Sequence, residues 1–565
     1  VSYIDWIVLT GTLAFIVIYG IWKTRAQKDM NSYLLGNKEA KWFTVALSIM
    51  ATQASAITFL SAPGQAFVDG MRFVQFYFGL PLAMVVLSVV VVPIYHKLNV
   101  YTAYEYLEKR FDLKTRTLTA ILFLTQRGLA AGFTIFAPSL ILSSLMGWNI
   151  NYTNIGIGVI VTAYTVIGGT KAVNQTQKLQ MAVIFVGMLL AGILVVVMMP
   201  DAISFNNALH IAGASGKLNA IDFKFDPTSK YNVWSGLIGG FFLAMSYFGT
   251  DQSQVQRYLS GASIGQSRLA LLFNGMIKIP MQFLILFIGA MVYVFYLFQP
   301  SPVLFNKVAL EDAQNKVENF SSYESDYQEV QQDRQKAALA YADALNSDNE
   351  GLINSTKKQL IASNELVESQ KAEIISKINA VDDTIDTKDT NYIFLSFVIN
   401  YLPAGLIGLL IAVILSASMS STSSEINALA STSIVDIYKR MIKPEAEEKH
   451  YLKVSKLVSI GWGVYAILFA TFANQLGSLI EAVNILGSLV YGVILGVFMI
   501  AFFFKKIGSN ATFIGGLISE GIIIYLFKFT DVPYLWYNVI GCMSVIIIAS
   551  IIHMISPQKV EEKLD

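Results

Sequence analysis

The stretch from Ile411 to Tyr438, IAVILSASMSSTSSEINALASTSIVDIY, sets chemistry-bearing side chains in an apolar setting. Seven hydroxyl residues fall within the nine positions Ser416 to Ser424, too wet a run for a face turned to lipid. In a helix the Ala417 carbonyl points toward the residues three and four further on, Ser420 and Ser421. One backbone oxygen and two hydroxyls then converge on a single face. An uncharged, all-oxygen set of this kind suits a small hard cation. The plainer alternative is a Ser/Thr-lined helix interface whose small side chains simply permit close packing. Two cations are also embedded in apolar sequence, Arg127 in LTQRGLAAG and Lys278 in NGMIKIPM. Burying either costs on the order of 3 kcal/mol on insertion scales, so each must line a polar cavity or find a partner.

The elements that hold these residues are membrane helices. The 565 residues are 54% hydrophobic and 14% charged, which places the chain in the membrane class. A net charge of +1 excludes a strongly basic nucleic-acid binder. The lone Cys542 allows no intramolecular disulfide. The opening VSYIDWIVL has no basic n-region or cleavage site and reads as a mature span. Segments of roughly 20 apolar residues recur at about 4–22, 43–65, 74–96, 118–146, 151–168, 179–199, 233–255, 270–298, 393–436, 454–473, 479–504, 510–527 and 534–554, which predicts an all-α membrane protein of about thirteen helices. The 393–436 segment exceeds one crossing, so its C-terminal part is expected to project from the membrane. Basic clusters at Lys23, Arg25, Lys28, Lys38 and Lys41, at Lys97 to Arg116, and at Lys439, Lys505 and Lys506 all fall on one side. The positive-inside rule makes that side cytoplasmic, with the N-terminus outside and the tail inside a plasma (inner) membrane.

Residues 300–391 interrupt the pattern. Positions 301–390 carry 17 acidic and 9 basic residues, with weak apolar periodicity on either side of the breaker NSDNEG at 346–351. The reading is a helical hairpin or short coiled coil outside the membrane, with a disordered insertion as the alternative. The expected organisation is a peripheral first helix and cytoplasmic loop over 1–41, a first half together with the start of the second over 42–299, the insertion over 300–391, the remainder of the second half over 392–506, and two peripheral helices with a cytoplasmic tail over 507–565. A partner at the insertion stays open.

In MATQASAITFLSAPGQAF (50–67), Thr52, Gln53, Ser55, Thr58 and Ser61 interrupt an apolar run that ends at Pro63-Gly64. Such polarity suits an unwound helix whose freed carbonyls face a ligand or a wet cavity, although a polar helix cap would read similarly. Three motifs then stand in order: GG-x-x-AV within 162–181, TDQ-x-x-VQR-x-L within 244–263, and the hydroxyl-rich helix. With EYLEKRF (105–111) and NILGSLVYGVILGVFMIAFFFKK (484–506), they resemble the sodium/solute symporter family over nearly the whole chain outside 300–391. Its members carry sugars, proline, sialic acid, pantothenate, monocarboxylates or iodide.

The resemblance implies a five-plus-five inverted repeat of the leucine-transporter type, with sites where two broken helices meet near Ala51–Ser61 and Ala244–Gln252. It implies a sodium site of backbone oxygens at Ala51 and Ala54, the Ala417 carbonyl and the Ser420 and Ser421 hydroxyls, weak enough to release the ion. It implies substrate contacts at Gln53, Ser55, Thr58, Phe76, Tyr77, Tyr247, Phe248, Lys278, Val483 and Asn484. Arg127 joins these as a charged candidate, and any of the aromatic rings is otherwise packing. Many relatives carry an Asp where this chain has Gln177; a neutral amide there predicts one coupled sodium.

The expected function is a sodium-coupled symporter of a small polar solute crossing a lipid bilayer, leaning to a small organic anion, with a sugar as the alternative. A receptor on the same scaffold and an ion channel are further classes. An enzyme fits least, given four histidines, one cysteine and no clustered intramembrane carboxylates.

Overall fold

The computed structural model describes residues 2–23, 38–98, 100–347, 349–473 and 479–557. Arg25, Lys28 and the tail from Gln558 lie outside the described residues. Apart from one bridge between Ala40 and Gly261, the described residues form helices, turns and loops. In chain order we name α1 (Tyr3–Lys23), α2 (Trp42–Gln53), α3 (Ala56–Asp69), α4 (Leu113–Met146), α5 (Ile150–Val197), α6 (Gly240–Gly249), α7 (Gln252–Leu259) and α8 (Ile264–Phe298). There follow α9 (Phe320–Leu345), α10 (Glu350–Val381), α11 (Thr390–Tyr401), α12 (Leu406–Thr432), α13 (Glu448–Ala470), α14 (Leu479–Phe503), α15 (Ser509–Phe529) and α16 (Tyr534–Ile555).

Among the described residues, ten helical stretches are long and apolar enough to cross a bilayer, with shorter apolar helices at Tyr3–Ile16 and Ser235–Gly249. Three of the expected spans are interrupted helices. The 43–65 span breaks between α2 and α3, where Ala54 (φ −89, ψ 75) and Ser55 (ψ 172) leave helical geometry. The 233–255 span breaks likewise between α6 and α7, at Thr250 and Asp251. The expected long 393–436 helix is two helices, because Pro403 and Gly405 (φ 88) stop α11 before α12 begins.

α5 has 48 residues and would be about 72 Å long if straight, far beyond a hydrocarbon core of about 30 Å. It is sharply bent: the Tyr164 hydroxyl meets Thr176 Oγ1 at 2.5 Å, whereas twelve helical residues span roughly 18 Å. Its two limbs thereby reach the same level of α12. Val161 and Tyr164 pack on Met419, and Gln177 bonds Ser420.

α12 is the central post: every residue from Leu410 to Thr432 is buried. Around it the broken pair α2/α3 packs on α8. Gly289 of α8 allows the closest approach, since a Cβ there would overlap the Pro63 carbonyl. A Cβ on Gly64 of α3 would similarly overlap the carbonyl oxygen of Thr390, the first residue of α11.

The 300–391 region folds as a hairpin in which α9 ends at Leu345 and α10 begins at Glu350. Its seam repeats every seven residues, Phe320, Tyr327, Arg334 and Tyr341 on one helix and Leu360, Val367 and Ile374 on the other. This is the two-helix packing of a coiled coil. Asn364 ties the hairpin to the Tyr293 hydroxyl at 3.0 Å and Ser215 at 3.1 Å. Asp389, one residue before α11, accepts from the Phe305 N–H at 2.8 Å and pairs with Lys371 at 3.4 Å. Nearby, burial raises the Asp386 carboxyl to about 6; the Lys388 N–H opposes the shift and the Asp389 charge adds to it.

Candidate functional site

The helix break after Gln53 sets the first half of the site. Freed from helical geometry, the chain at Ala54 and Ser55 keeps a turn through Ala54 N–H to Met50 O at 2.7 Å, then restarts at Thr58 N–H to Ser55 O. Here α12 comes alongside: Ser420 Oγ lies 3.4 Å from the Ala51 carbonyl, and Ser421 Oγ donates to Ala417 O at 3.1 Å. Ala51, Ala54, Ala417, Ser420 and Ser421 are all buried. Four of these five are thus joined in two contacts spanning two helices, and Ala54 sits at the break itself.

Gln177 of α5 reaches the same point. Its Nε2 lies 2.8 Å from Ser420 Oγ, 3.1 Å from Ser424 Oγ and 3.2 Å from Thr52 Oγ1, while Ser48 Oγ meets its Oε1 at 2.5 Å. Three helices therefore meet through neutral oxygens and one amide. Oxygen donors without a carboxylate match a weakly held hard monovalent cation.

Beside this cluster lies a cavity of about 100 Å³. Gln53, Ser55, Thr58, Phe76, Tyr77, Arg127, Tyr247, Phe248, Val483 and Asn484 all line it. Lys278 does not: it is wholly buried behind the wall, its ammonium 5.2 Å from the centroid of the Tyr77 ring. The aromatic wall is self-packed, with Phe76 and Tyr77 rings 4.8 Å apart and Tyr247 and Phe248 4.9 Å apart. Tyr491, which the sequence did not single out, completes the lining 5.9 Å from Tyr247.

Arg127 enters from α4 and is held on three sides. Its Nε donates to Asp251 Oδ2 at 3.1 Å, its Nη2 to Asp251 and to the Tyr491 hydroxyl, and its Nη1 to Glu425 Oε1 at 3.0 Å. The guanidinium also lies 5.4 Å over the Tyr247 ring. Asp251 and Glu425 overturn the expectation that no carboxylates cluster within the membrane helices. They come from α12 and the α6–α7 break, far apart in sequence, and the demand of a buried arginine for a partner was the signal that pointed to them.

An unwound helix joined to a hydroxyl-rich post, beside a polar and aromatic cavity, is the arrangement of an ion-coupled carrier of small solutes. A family profile described as "Sodium:solute symporter family" matches residues 33–317 and 374–519. The chain belongs to that family. It is similar to the mouse sodium-coupled monocarboxylate transporter 1, 27% identical over 520 residues, covering 91% of this chain and 71% of the relative. It is also similar to the sodium/sialic acid symporter SiaT of Proteus mirabilis, 25% identical over 566 residues and covering 97% and 95% of the two chains. A solved substrate-bound, outward-open sodium-coupled sialic acid symporter superposes with a TM-score of 0.74 at 22% identity, covering 99% of this chain and 100% of the other. The protein is a sodium-coupled solute symporter, an integral membrane transporter and not an enzyme.

Proposed function

We propose that this symporter imports a small organic anion with one sodium ion by alternating access. The observation that carries the solute class is Arg127, the one group among the cavity-lining residues that is charged at neutral pH. Two relatives named for monocarboxylates and sialic acid point the same way. Gln53, Ser55, Thr58, Tyr247 and Asn484 would bind the solute's polar edge, with Phe76, Tyr77 and Phe248 closing over it. Lys278 reaches the solute when Tyr77 turns aside.

The proposed sodium site is the Ala51, Ala54 and Ala417 carbonyls with the Ser420 and Ser421 hydroxyls. One ion is expected because Gln177 brings no charge to the cluster. Sodium stabilises the solute-ready state by joining α2 to α12, and the bundle then rocks to release both to the cytoplasm. This reading includes the five-plus-five inverted repeat, about thirteen crossings in a plasma membrane, the hairpin as a separate extramembrane unit on the outer side, and the tail inside.

A sugar is the second reading, favoured by the amide and hydroxyl groups of Gln53, Ser55, Thr58 and Asn484 in the lining. Charge separates the two. Each charge crossing 100 mV is worth about 2.3 kcal/mol, roughly fifty-fold in gradient. One sodium with a monoanion moves no net charge, whereas one sodium with a neutral sugar carries current. A thermal-shift screen of sugars, amino acids and carboxylates in sodium and in potassium chooses the solute, and uptake current in proteoliposomes then tests it. Saturable current with a sugar and none of the carboxylates stabilising the protein overturns the anion reading.

A further inference from the structure

α7 reads QSQVQRYL, a polar sequence, yet all eight of its residues are buried. Its one charge is Arg257, wholly buried. Nη1 donates to Asn174 Oδ1 at 3.0 Å and Nη2 to Gln256 Oε1 at 2.8 Å, while Nε has no hydrogen-bond partner. Among the described residues no acidic side chain offsets this guanidinium. Arg127, by comparison, is held by two carboxylates. A buried arginine that only neutral oxygens hold is costly to fold, so its charge serves something other than stability.

Two hydrogen bonds fix its place. Asn174 Oδ1, which takes Arg257, also lies 2.9 Å from Ser48 Oγ, and Ser48 meets Gln177 of the hydroxyl cluster. Ser48 precedes Ala51 on α2 by three residues, and Asn174 precedes Gln177 on α5 by three. This contact therefore lies about one helical turn from the oxygens around Ser420, toward the start of α2. The start of α2 and the end of α7 are joined by the bridge of Ala40 and Gly261, where the Ala40 N–H donates to Ser260 O at 3.1 Å. Lys38 and Lys41 flank that bridge, on the side the positive-inside rule makes cytoplasmic. Arg257, three residues before Ser260, stands between the cluster and that side.

We propose that Arg257 is a charge barrier on sodium's inward route, holding the ion at the Ala51–Ser420 site until α7 moves aside with the bundle. This deepens the sodium reading and rests on that site. A fixed positive charge acts on a cation strongly where little water screens it, which is how a pore-lining arginine turns cations back. A unit charge about 10 Å from a cation, in a medium of effective dielectric constant about 20, alters a barrier by a factor on the order of ten. Neutral walls do the opposite. Gln180, the Gln254 Oε1 and the Tyr258 hydroxyl, on the same stretches of α5 and α7, are buried without partners and would solvate a passing cation. Asn174 is a positioning residue: it holds Nη1 against Ser48 and, being an amide, leaves the charge uncancelled.

The test uses the full chain in proteoliposomes and follows labelled sodium down its gradient with no solute present. Wild-type flux is slow. In Arg257→Gln it rises on the order of tenfold, whereas in Arg257→Lys, which keeps a positive charge, it stays near the wild type's. Asn174→Asp leaves the arginine in place and sets a carboxylate on Nη1, and it leaks as Arg257→Gln does. Melting temperatures separate charge from packing: Arg257→Gln removes a buried charge that has no counter-charge and melts no lower than the wild type. No leak in either Arg257→Gln or Asn174→Asp, an equal leak in Arg257→Lys, or a leak confined to variants that melt well below the wild type overturns the barrier. The sodium site still stands in that case if Ser420→Ala raises the sodium concentration for half-maximal uptake. A sodium dependence that Ser420→Ala does not alter overturns the site and the barrier with it.

Discussion

Replacing Ser420 by alanine separates coupling from folding. Ser420 Oγ lies 3.4 Å from the Ala51 carbonyl and is one of five oxygens proposed to hold the sodium. Losing one neutral oxygen from a cation resembles losing a hydrogen bond to a charged group, about 1.5–3 kcal/mol. That corresponds to a rise on the order of ten- to a hundredfold in the sodium concentration for half-maximal uptake. The folding loss is smaller. Gln177 Nε2, which donates to Ser420 at 2.8 Å, keeps Ser424 at 3.1 Å and Thr52 at 3.2 Å, so the amide stays satisfied and stability drops by about 1 kcal/mol. Ser423→Ala is the matched control, since that hydroxyl bonds the Ser420 carbonyl at 3.0 Å within its own helix. Solute uptake is measured in proteoliposomes against sodium at fixed ionic strength, with melting temperatures followed in parallel. An unchanged sodium dependence in a folded Ser420→Ala protein, or an equal shift in Ser423→Ala, refutes the assignment.

Gln177→Asp places a carboxylate against Ser420, Ser424 and Thr52, and the Hill coefficient for sodium is expected to climb from about 1 toward about 2; a flat coefficient means that Gln177 does not set the stoichiometry. Gly64→Ala drives a methyl into the Thr390 carbonyl, so α11 must lift from α3. A cysteine placed at Thr58 in that background is expected to react faster with a membrane-impermeant thiol reagent added on the hairpin side, and equal rates in both backgrounds exclude the effect. Asp386 has a folded value of about 6, above its unfolded one, so the fold favours the protonated form and loses stability as pH rises from about 4 through 6. Asp386→Asn therefore stabilises the fold at pH 7.5 by on the order of 1 kcal/mol after allowing for partial exposure, read as a higher melting temperature, and the gain shrinks as pH falls below about 6. Equal gains at pH 5 and 7.5 contradict the burial argument.

Features that depend on one helix's own periodicity were legible in the sequence. The hydroxyl face of Ser416 to Ser424, the polar interruption at Gln53 to Ser61 and the hairpin breaker at 346–351 each declare themselves within a few turns. The carbonyl of Ala417 and the hydroxyl of Ser421 meet because helix geometry requires it. What the sequence withheld concerns which helix faces which. Nothing local says that Asp251 and Glu425 grip the same guanidinium, because the pairing is set by three elements that meet only after packing. Lys278 shows the converse: its apolar context announces a buried ammonium, yet whether it looks into the cavity or behind Tyr77 is decided by the rotation of α8. The bend in α5 escaped for a third reason. Spans at 151–168 and 179–199 are visible as separate apolar runs, but their union in one helical element depends on how the polar stretch between them packs on α12.

The attachment of the hairpin has a mechanical meaning. Asp389, anchored to Phe305 and Lys371, is followed at once by α11, whose first carbonyl rests on the bare backbone of Gly64. A paired rod of 26 and 32 residues, tens of ångströms long, thus stands directly on the segment that presses against the broken helix. A torque applied at its tip, whether by a bound antibody fragment or by a neighbouring molecule, would be borne at Asp389 and the contact of Thr390 with Gly64, and shared with Asn364, which bonds Tyr293 and Ser215. The family profile skips 318–373, most of this rod, so the carrier core of this chain has a crank fitted to it that the common family plan lacks.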